Sequence, residues 1–553
     1  PDAVALFEAA VPGDHDSDAV ADVAELCGRL PLAIRIAAAR LRDRPSWGVR
    51  DLADRLRAER ERGGRSTDAV SAAFALSYEQ LSPEHQLMFR QLSTLPGNDA
   101  DAYAAAALAG IPPGVAEDLL EDLLDVHLVE QRGPSRYSLH DLLRGYASAL
   151  PSPTDRDAGI ERLIDYYLEM TDRAHVVISP ASAAKVPRDA AVGVLLDDDV
   201  AAIEWCDAER ANVIAMIRAT SGPPVWRLTR NLVGYFVRGF HLDDGIAAHE
   251  AAVDAARAAG DADAELLSVL NLGVMHWRGD DYAAAIPCAE RALELTRQVG
   301  DVRREIACLN RIGLFCLSSG EYARATAATT EGLRLAETVG DIREEGVALW
   351  ISSGLDLLTG AADTAHQKAV RALEIDRGLG DRHGICVTMA RLGSTCAETG
   401  RLAEGERYLV EAIDIAREIA DLHTEAAAMI ELSAIKRLAG ALGEATGAAQ
   451  EAMRILTQIR QPALLSAAHR VRGDILFDQG RPQEAAVHHR AGVEQARAIG
   501  YRLELARGID ALGRDLAATG DRHGASRQHA AARELYTWMG IKDEVDASYR
   551  LVV

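Results

Sequence analysis

Lysine is almost missing from this 553-residue chain: Lys185, Lys368, Lys436 and Lys542 are the only four among 60 basic residues, a bias typical of GC-rich genomes. Aromatics are also scarce, at 5%. Packing must then rest on Ala, Leu and Gly, which suits closely approaching helices better than sheets. No run of about 18 apolar residues occurs, so no membrane-spanning helix is predicted. A basic excess is missing too. The formal charge is −24 and the pI about 5.1, and such a field repels a polyanion, so the chain is not expected to contact DNA directly. The densest arginine stretch, Arg35 to Arg65, is interrupted by Asp43, Asp51, Asp54, Glu59 and Glu61 and reads as a solvated helical surface. The seven cysteines contain no C-x-x-C pair; an odd count without a signal peptide predicts a reducing, cytoplasmic setting. The first residue is Pro1, not Met, already inside a helical pattern, which reads as a piece of something larger.

What the chain has in abundance is period. Gly260, Gly300, Gly340, Gly380, Gly500 and Gly540 fall on a 40-residue comb, with Ala420 and Arg460 at the remaining positions. A second comb, half a period away, holds Gly320, Gly360, Gly400, Gly440, Gly480 and Gly520, with Gly279 one residue early. Glycine just past a helix end supplies the left-handed position without steric cost. Asp261, Asp301, Asp341, Asp381 and Asp421 follow the first comb as N-caps, and Asp341 with Glu344 has capping-box spacing. Each repeat is therefore two helices separated by glycine turns. Small residues recur inside the first helix (Gly273, Gly313, Ser353, Gly393, Ser433, Gly473, Gly513) and the second (Ala285 through Ala525, Ala292 through Ala532), which predicts helix crossings too close for a side chain.

This pattern resembles the tetratricopeptide repeat (TPR) in a longer, 40-residue form. Seven pairs run from Asp261 to Gly540, a divergent eighth precedes them from Pro223 to Gly260, and Asp543 to Leu551 would cap the open end. In the TPR register the inner helices present Leu270, Val274, Trp277, Leu314, Leu317 and Trp350 as an apolar groove for a partner. Later repeats present Arg437, Arg470, Asp474, Arg507, Asp510 and Arg514. Packing between repeats is the competing reading of these residues.

The first 220 residues are organised differently. Ala21 to Leu41 is a helical pattern broken at Leu30-Pro31, where proline must start a new helix or bend one. Helices are predicted at Ser71–Leu76, Pro83–Leu95, Ala100–Ala109 and Val115–Leu124. A hairpin follows over His127–Gln131 and Arg136–Leu139, and then a helix over Asp141–Ala149. That order is a winged-helix arrangement. The helix at a recognition position, Val115–Leu124, carries Glu117, Asp118, Glu121 and Asp122, which would face phosphates badly.

Gly28-Arg29-Leu30-Pro31-Leu32-Ala33 resembles the G-x-P-x-A motif of NB-ARC proteins, and Leu139-His140-Asp141 resembles their Met-His-Asp motif, with Leu for Met. Trp205 to Asn212 resembles the W-x-x-x-E-R-x-N segment joining NB-ARC to TPR in actinobacterial regulators of the AfsR/SARP type. Taken in order with the array, these motifs resemble a signal-transduction ATPase with numerous domains (STAND). The resemblance implies that Pro31 packs on the adenine of a bound nucleotide and that His140 contacts the β-phosphate of ADP. A plain helix-start proline and a plain helix cap are the competing readings. No G-x-x-x-x-G-K-[ST] loop occurs, and Gly63-Gly64-Arg65-Ser66-Thr67 is not one, so this chain is not expected to hydrolyse ATP. ADP or ATP with Mg²⁺ would be a cofactor of the full-length protein only. No catalytic constellation is present, and His488-His489 lacks further metal ligands at useful spacing.

The expected architecture is mainly α: a small ARC-like helical subdomain over 1–65, a winged helix over 66–150, linker helices over 151–221 and a TPR-like right-handed α-solenoid over 222–553. The expected function is the regulatory and sensor portion of a STAND-class transcriptional regulator controlling secondary-metabolite genes. Its partners would be its own nucleotide-binding subdomain and a protein or small-molecule effector on the array. A stand-alone TPR adaptor or peptide receptor is the alternative.

Overall fold

A computed structural model describes residues 2–13, 15–62, 69–151, 156–179, 193–239 and 241–541. The predicted cap helix Asp543–Leu551, the Gly63–Thr67 segment and the predicted boundary at 65/66 lie outside them. The described residues form 28 helices and one hairpin. They divide into two compact units, Pro1–Val177 with Ala184–Pro224, and Ile178–Ala183 with Val225–Val553. The three N-terminal segments read from the sequence thus fall within a single body.

The first unit starts with α1 (Asp2–Ala10), α2 (Ser17–Leu26), α3 (Pro31–Arg42) and α4 (Val49–Arg62). Gly28 and Arg29 both take left-handed backbone (φ 62° and 57°) and turn the chain between α2 and α3. Pro31 then opens α3 at its first position, where a missing N–H costs nothing. Next come α5 (Ala69–Tyr78), α6 (Pro83–Leu92), α7 (Ala102–Ala109), α8 (Pro113–Asp125), the strands β1 (Glu130–Gly133) and β2 (Arg136–Ser138), and α9 (Asp141–Ala149). Helix α6 stops short of Leu95 because the hydroxyls of Ser93 and Thr94 donate back to the carbonyls of Arg90 and Gln91, each at 2.7 Å. Ala100 pairs with Tyr137 at 2.8 and 2.9 Å, adding a one-residue third strand beside β2. Two longer helices, α10 (Arg156–Ile178) and α11 (Asp199–Ala219), follow.

The second unit is the array. Its divergent first pair is α12 (Pro223–Asn231) with α13 (Val233–Gly239), a helix broken at Leu232, and α14 (Leu242–Ala259). Seven regular pairs follow: α15 (Ala262–Arg278) and α16 (Tyr282–Val299), α17 (Val302–Ser319) and α18 (Tyr322–Val339), α19 (Ile342–Leu358) and α20 (Ala362–Leu379), α21 (Arg382–Glu398) and α22 (Leu402–Glu418). The last three are α23 (Leu422–Leu438) and α24 (Leu442–Gln458), α25 (Pro462–Asp478) and α26 (Pro482–Ala498), α27 (Arg502–Ala518) and α28 (Arg522–Met539).

The aspartates predicted as N-caps accept from the amide three residues on, from Asp261 (2.9 Å) to Asp421 (3.1 Å). At Asp341 only half of the expected capping box forms, because the Glu344 carboxylate instead accepts from Asn310 Nδ2 at 2.8 Å. The glycines of both combs have φ between 67° and 94°, and Ala420 (53°) and Arg460 (52°) adopt the same left-handed turn without being glycine. The irregular tooth is corrected: Gly279 has φ −86° and Asp280 takes the left-handed position at 60°, so the comb itself is in register.

The small-residue stripes are size-matched seams. A Cβ added to Gly313, Gly393, Gly473 or Gly513 would lie 2.2–2.7 Å from Thr329, Leu409, His489 or His529, each sixteen residues on. Where the first helix carries Ser353 or Ser433, the facing residue shrinks to Ala369 or Ala449. Each of those serines donates to the carbonyl of Ala365 or Ala445 at 2.8 Å.

The array also closes on itself. Gln461 Nε2 donates to Arg278 O (2.7 Å), the Ala463 amide to Asp280 Oδ2 (3.0 Å) and Arg502 Nη1 to Ser319 O (3.0 Å), all 183 residues apart. One superhelical turn is therefore about four and a half 40-residue repeats. A single apolar cluster joins Ile286, Phe315 and Ile351 of the early repeats to Val493, Ile509 and Tyr536 of the late ones.

Candidate functional site

Three groups of residues carry the functional expectations, two in the first unit and one in the array. Pro31 is exposed at the start of α3, behind the exposed Leu30. His140 is half-buried at the N-cap of α9, where its Nδ1 accepts from the Leu142 amide at 3.2 Å. That bond leaves Nε2 with no partner among the described residues. Helix α5 packs against α3 and also against α9, so both motif helices rest on one common element. The cap on His140 fixes the ring at the helix start, where backbone N–H groups and the dipole favour an anion.

The W-x-x-x-E-R-x-N segment proves to be a clamp. Glu209, 1% exposed, lies on α11 and pairs with Arg136 of β2, which also pairs with Asp99. Glu209 accepts from Tyr167 Oη at 2.9 Å and from Asn212 Nδ2 at 2.9 Å, and Asn212 also donates to Asp99 at 3.1 Å. A Cβ on Gly97 would collide with Asn212 at 2.1 Å. Burial disfavours the Arg136 charge, yet Glu209 and Asp99 outweigh it and push its pKa up. Burial and the nearby Glu209 raise the α7 cap, Asp101, to about 6. The motif thereby fastens α11 to the hairpin. Arg136 and Asp99 were missed because nothing in their local sequence marks them; only the hairpin turn brings them to α11.

In the array, Leu314 is 7% exposed and belongs to the apolar cluster of early and late repeats, so it is core rather than groove lining. Val274, Trp277, Leu317 and Trp350 are half-buried and pack on the same cluster; Leu270 is half-buried. Trp277 stacks on Phe315 (6.1 Å) and donates to Ser318 Oγ at 2.9 Å, while the Arg391 guanidinium sits 5.2 Å over Trp350. The later polar residues form an internal network. Arg470 bonds Glu504 (2.8 Å) and Asp474 (3.4 Å), and buried His489 lies between Asp515 (2.5 Å) and Asp474 (3.4 Å). Burial opposes charge on His489, but the two carboxylates win and raise its pKa. His488 meets His469 at 3.1 Å. An open groove of about 450 Å³ lies along α14, α15 and α16. Val269, Leu272 and Pro287 are among its lining residues, together with Glu250, Asp254 and Arg291.

A tetratricopeptide repeat family matches residues 264–338. The chain is 34% identical over 304 residues to the regulatory protein AfsR of Streptomyces griseus, covering 51% of this chain and 31% of that protein. It is 37% identical over 237 residues to AfsR of Streptomyces coelicolor, covering 40% of this chain and 24% of that protein. The chain is homologous to the AfsR regulatory proteins. It spans less than a third of the length of these two AfsR proteins. A crystal structure of a STAND protein with a tetratricopeptide repeat sensor from Pyrococcus horikoshii superposes with a TM-score of 0.56 at 15% identity, covering 97% of this chain and 72% of that one. The fold is thus that of a helical N-terminal unit followed in the chain by a TPR array. No helix among the described residues is long and apolar enough to cross a membrane.

Proposed function

We propose that the chain is the regulatory and sensor portion of a STAND-class transcriptional regulator switched by ADP and ATP, acting in the cytoplasm on secondary-metabolite genes. The observation that carries this reading is the clamp: the motif joining the two regions in AfsR-type proteins is the motif that fastens α11 to the hairpin preceding His140. In this reading Pro31 packs on adenine, and His140, held by its cap, offers Nε2 to the β-phosphate of ADP. The phosphate loop and Mg²⁺ belong to a nucleotide-binding subdomain outside this chain, which itself performs no hydrolysis and makes no direct DNA contact. The array takes a protein, peptide or small-molecule effector. Since the predicted inner residues support the array's own packing, the open groove over Val269, Leu272 and Pro287 is the favoured entry surface. Effector binding changes the pull on α11, the clamp carries it to the hairpin, and the His140 contact is gained or lost as a population shift.

The test is ADP affinity of the full-length regulator. His140→Ala should weaken ADP binding at least tenfold while the helical signal stays unchanged. Equal affinity in the variant would contradict the switch role and favour a plain helix cap.

A further inference from the structure

The geometry points to a zinc-class divalent metal site in the fourth regular repeat, held by His383, Cys386 and Asp421. A ring nitrogen of His383, Sγ of Cys386 and a carboxylate oxygen of Asp421 all lie within 4.8 Å of one another. His383 and Cys386 are three residues apart on the first turn of α21 and so share one face. Asp421 caps α23, where Oδ1 accepts from the Thr424 amide at 3.1 Å and Oδ2 faces His383 at 2.9 Å. Tetrahedral zinc takes thiolate at about 2.3 Å and imidazole or carboxylate at about 2.0–2.2 Å. The donor set of one nitrogen, one sulfur and one oxygen, with a position left for water, suits that ion.

A structural ladder explains only part of this cluster. At four consecutive first-comb turns the third residue reaches the residue before the next repeat's first helix: Arg303 to Asp341 (2.9 Å), Arg343 to Asp381 (3.5 Å), His383 to Asp421 (2.9 Å) and His423 to Gln461 (3.1 Å). The ladder accounts for a cation at position 383. It does not account for a thiol at 386, where the other six regular repeats carry Leu266, Ile306, Gly346, Ala426, Ser466 and Ala506. Only in this repeat do a ligating rung and a ligating core residue coincide. A bound cation stabilises the Cys386 thiolate. On binding, the thiol proton leaves to solvent, the His383–Asp421 contact opens, and bonds to N, S and O form. A dication with one thiolate and one carboxylate is neutral, which suits a site where Cys386 and Asp421 are buried and half-exposed His383 marks the entry. Arg278 and His423 also face Asp421 electrostatically, and Asp280 offsets Arg278. The bound ion would tie the fourth and fifth regular repeats together.

The test is titration of the metal-free full chain with Co²⁺, followed by displacement with Zn²⁺. One equivalent should produce a thiolate-to-cobalt band in the near ultraviolet, and zinc should raise the melting midpoint. Cys386→Ser, a residue found at the matching position 466, should abolish the band. His383→Arg, which keeps the rung as in Arg343, should weaken binding at least tenfold with helicity intact. No thiolate band in the wild type, or an equal band in Cys386→Ser, would overturn the site.

Discussion

Arg136 and His489 each sit between two carboxylates inside the fold, and each leaves a measurable trace. Removing one partner of a buried ion pair strands the other, at a cost of about 3–5 kcal/mol. Arg136→Ala should therefore lower the stability of the first unit by about 3 kcal/mol in chemical denaturation, and Arg136→Met with Glu209→Leu should lose less than the single variant. A double variant worse than the single would show that Glu209 is not stranded. His489 acts through proton linkage. Its folded pKa is raised, so its stabilisation is fully present below about pH 6.5, the ordinary histidine value, and fades as pH rises through the folded value. Its partner Asp474 is held below the ordinary carboxylate range by His489, Arg470 and Arg514 despite burial, so that contribution is lost only in acid. Melting midpoints from pH 6 to 9 should fall more steeply for wild type than for His489→Gln. Equal slopes would remove His489 from the account.

The repeating helices show why some of this structure was legible in the sequence and some was not. Left-handed turns and aspartate caps are properties of single residues, so Gly300 or Asp301 announces its place wherever it occurs. The tooth at Gly279 was misjudged because the register belongs to the position, and Asp280 fills it. The seams are pairwise. Thr329, Leu409, His489 and His529 face glycines, while Ala369 and Ala449 face serines, a relation visible in sequence once the sixteen-residue offset is known. Gly473→Ala would set its Cβ 2.4 Å from the His489 ring and should cost about 1–3 kcal/mol by overpacking. Ala420→Gly should instead gain up to about 1 kcal/mol by relieving left-handed strain at φ 53°. Thermal unfolding of both variants checks the pair, and the same sign in both would refute the seam-and-turn description.

At the scale of the molecule, superhelical closure was the least legible feature, because it sums small rotations over about four and a half repeats and no single residue encodes it. Closure changes the expected role of Trp277 and Trp350, whose rings support the contact between early and late repeats. Trp350→Ala should destabilise the array by about 3 kcal/mol, as large-to-small core changes do, before it affects any partner. The Pro31 and His140 motifs each lie in one short stretch of sequence, whereas the clamp does not, since Asp99, Arg136, Tyr167 and Glu209 come from four separated segments. In the proposed function this clamp would couple the array to a nucleotide switch. The release rate of a fluorescent ADP analogue from the full-length regulator tests it most directly, comparing wild type, His140→Ala and Arg136→Ala. The account predicts at least tenfold faster release in both variants. Release at the wild-type rate from a folded Arg136→Ala protein, alongside fast release from His140→Ala, would contradict the coupling.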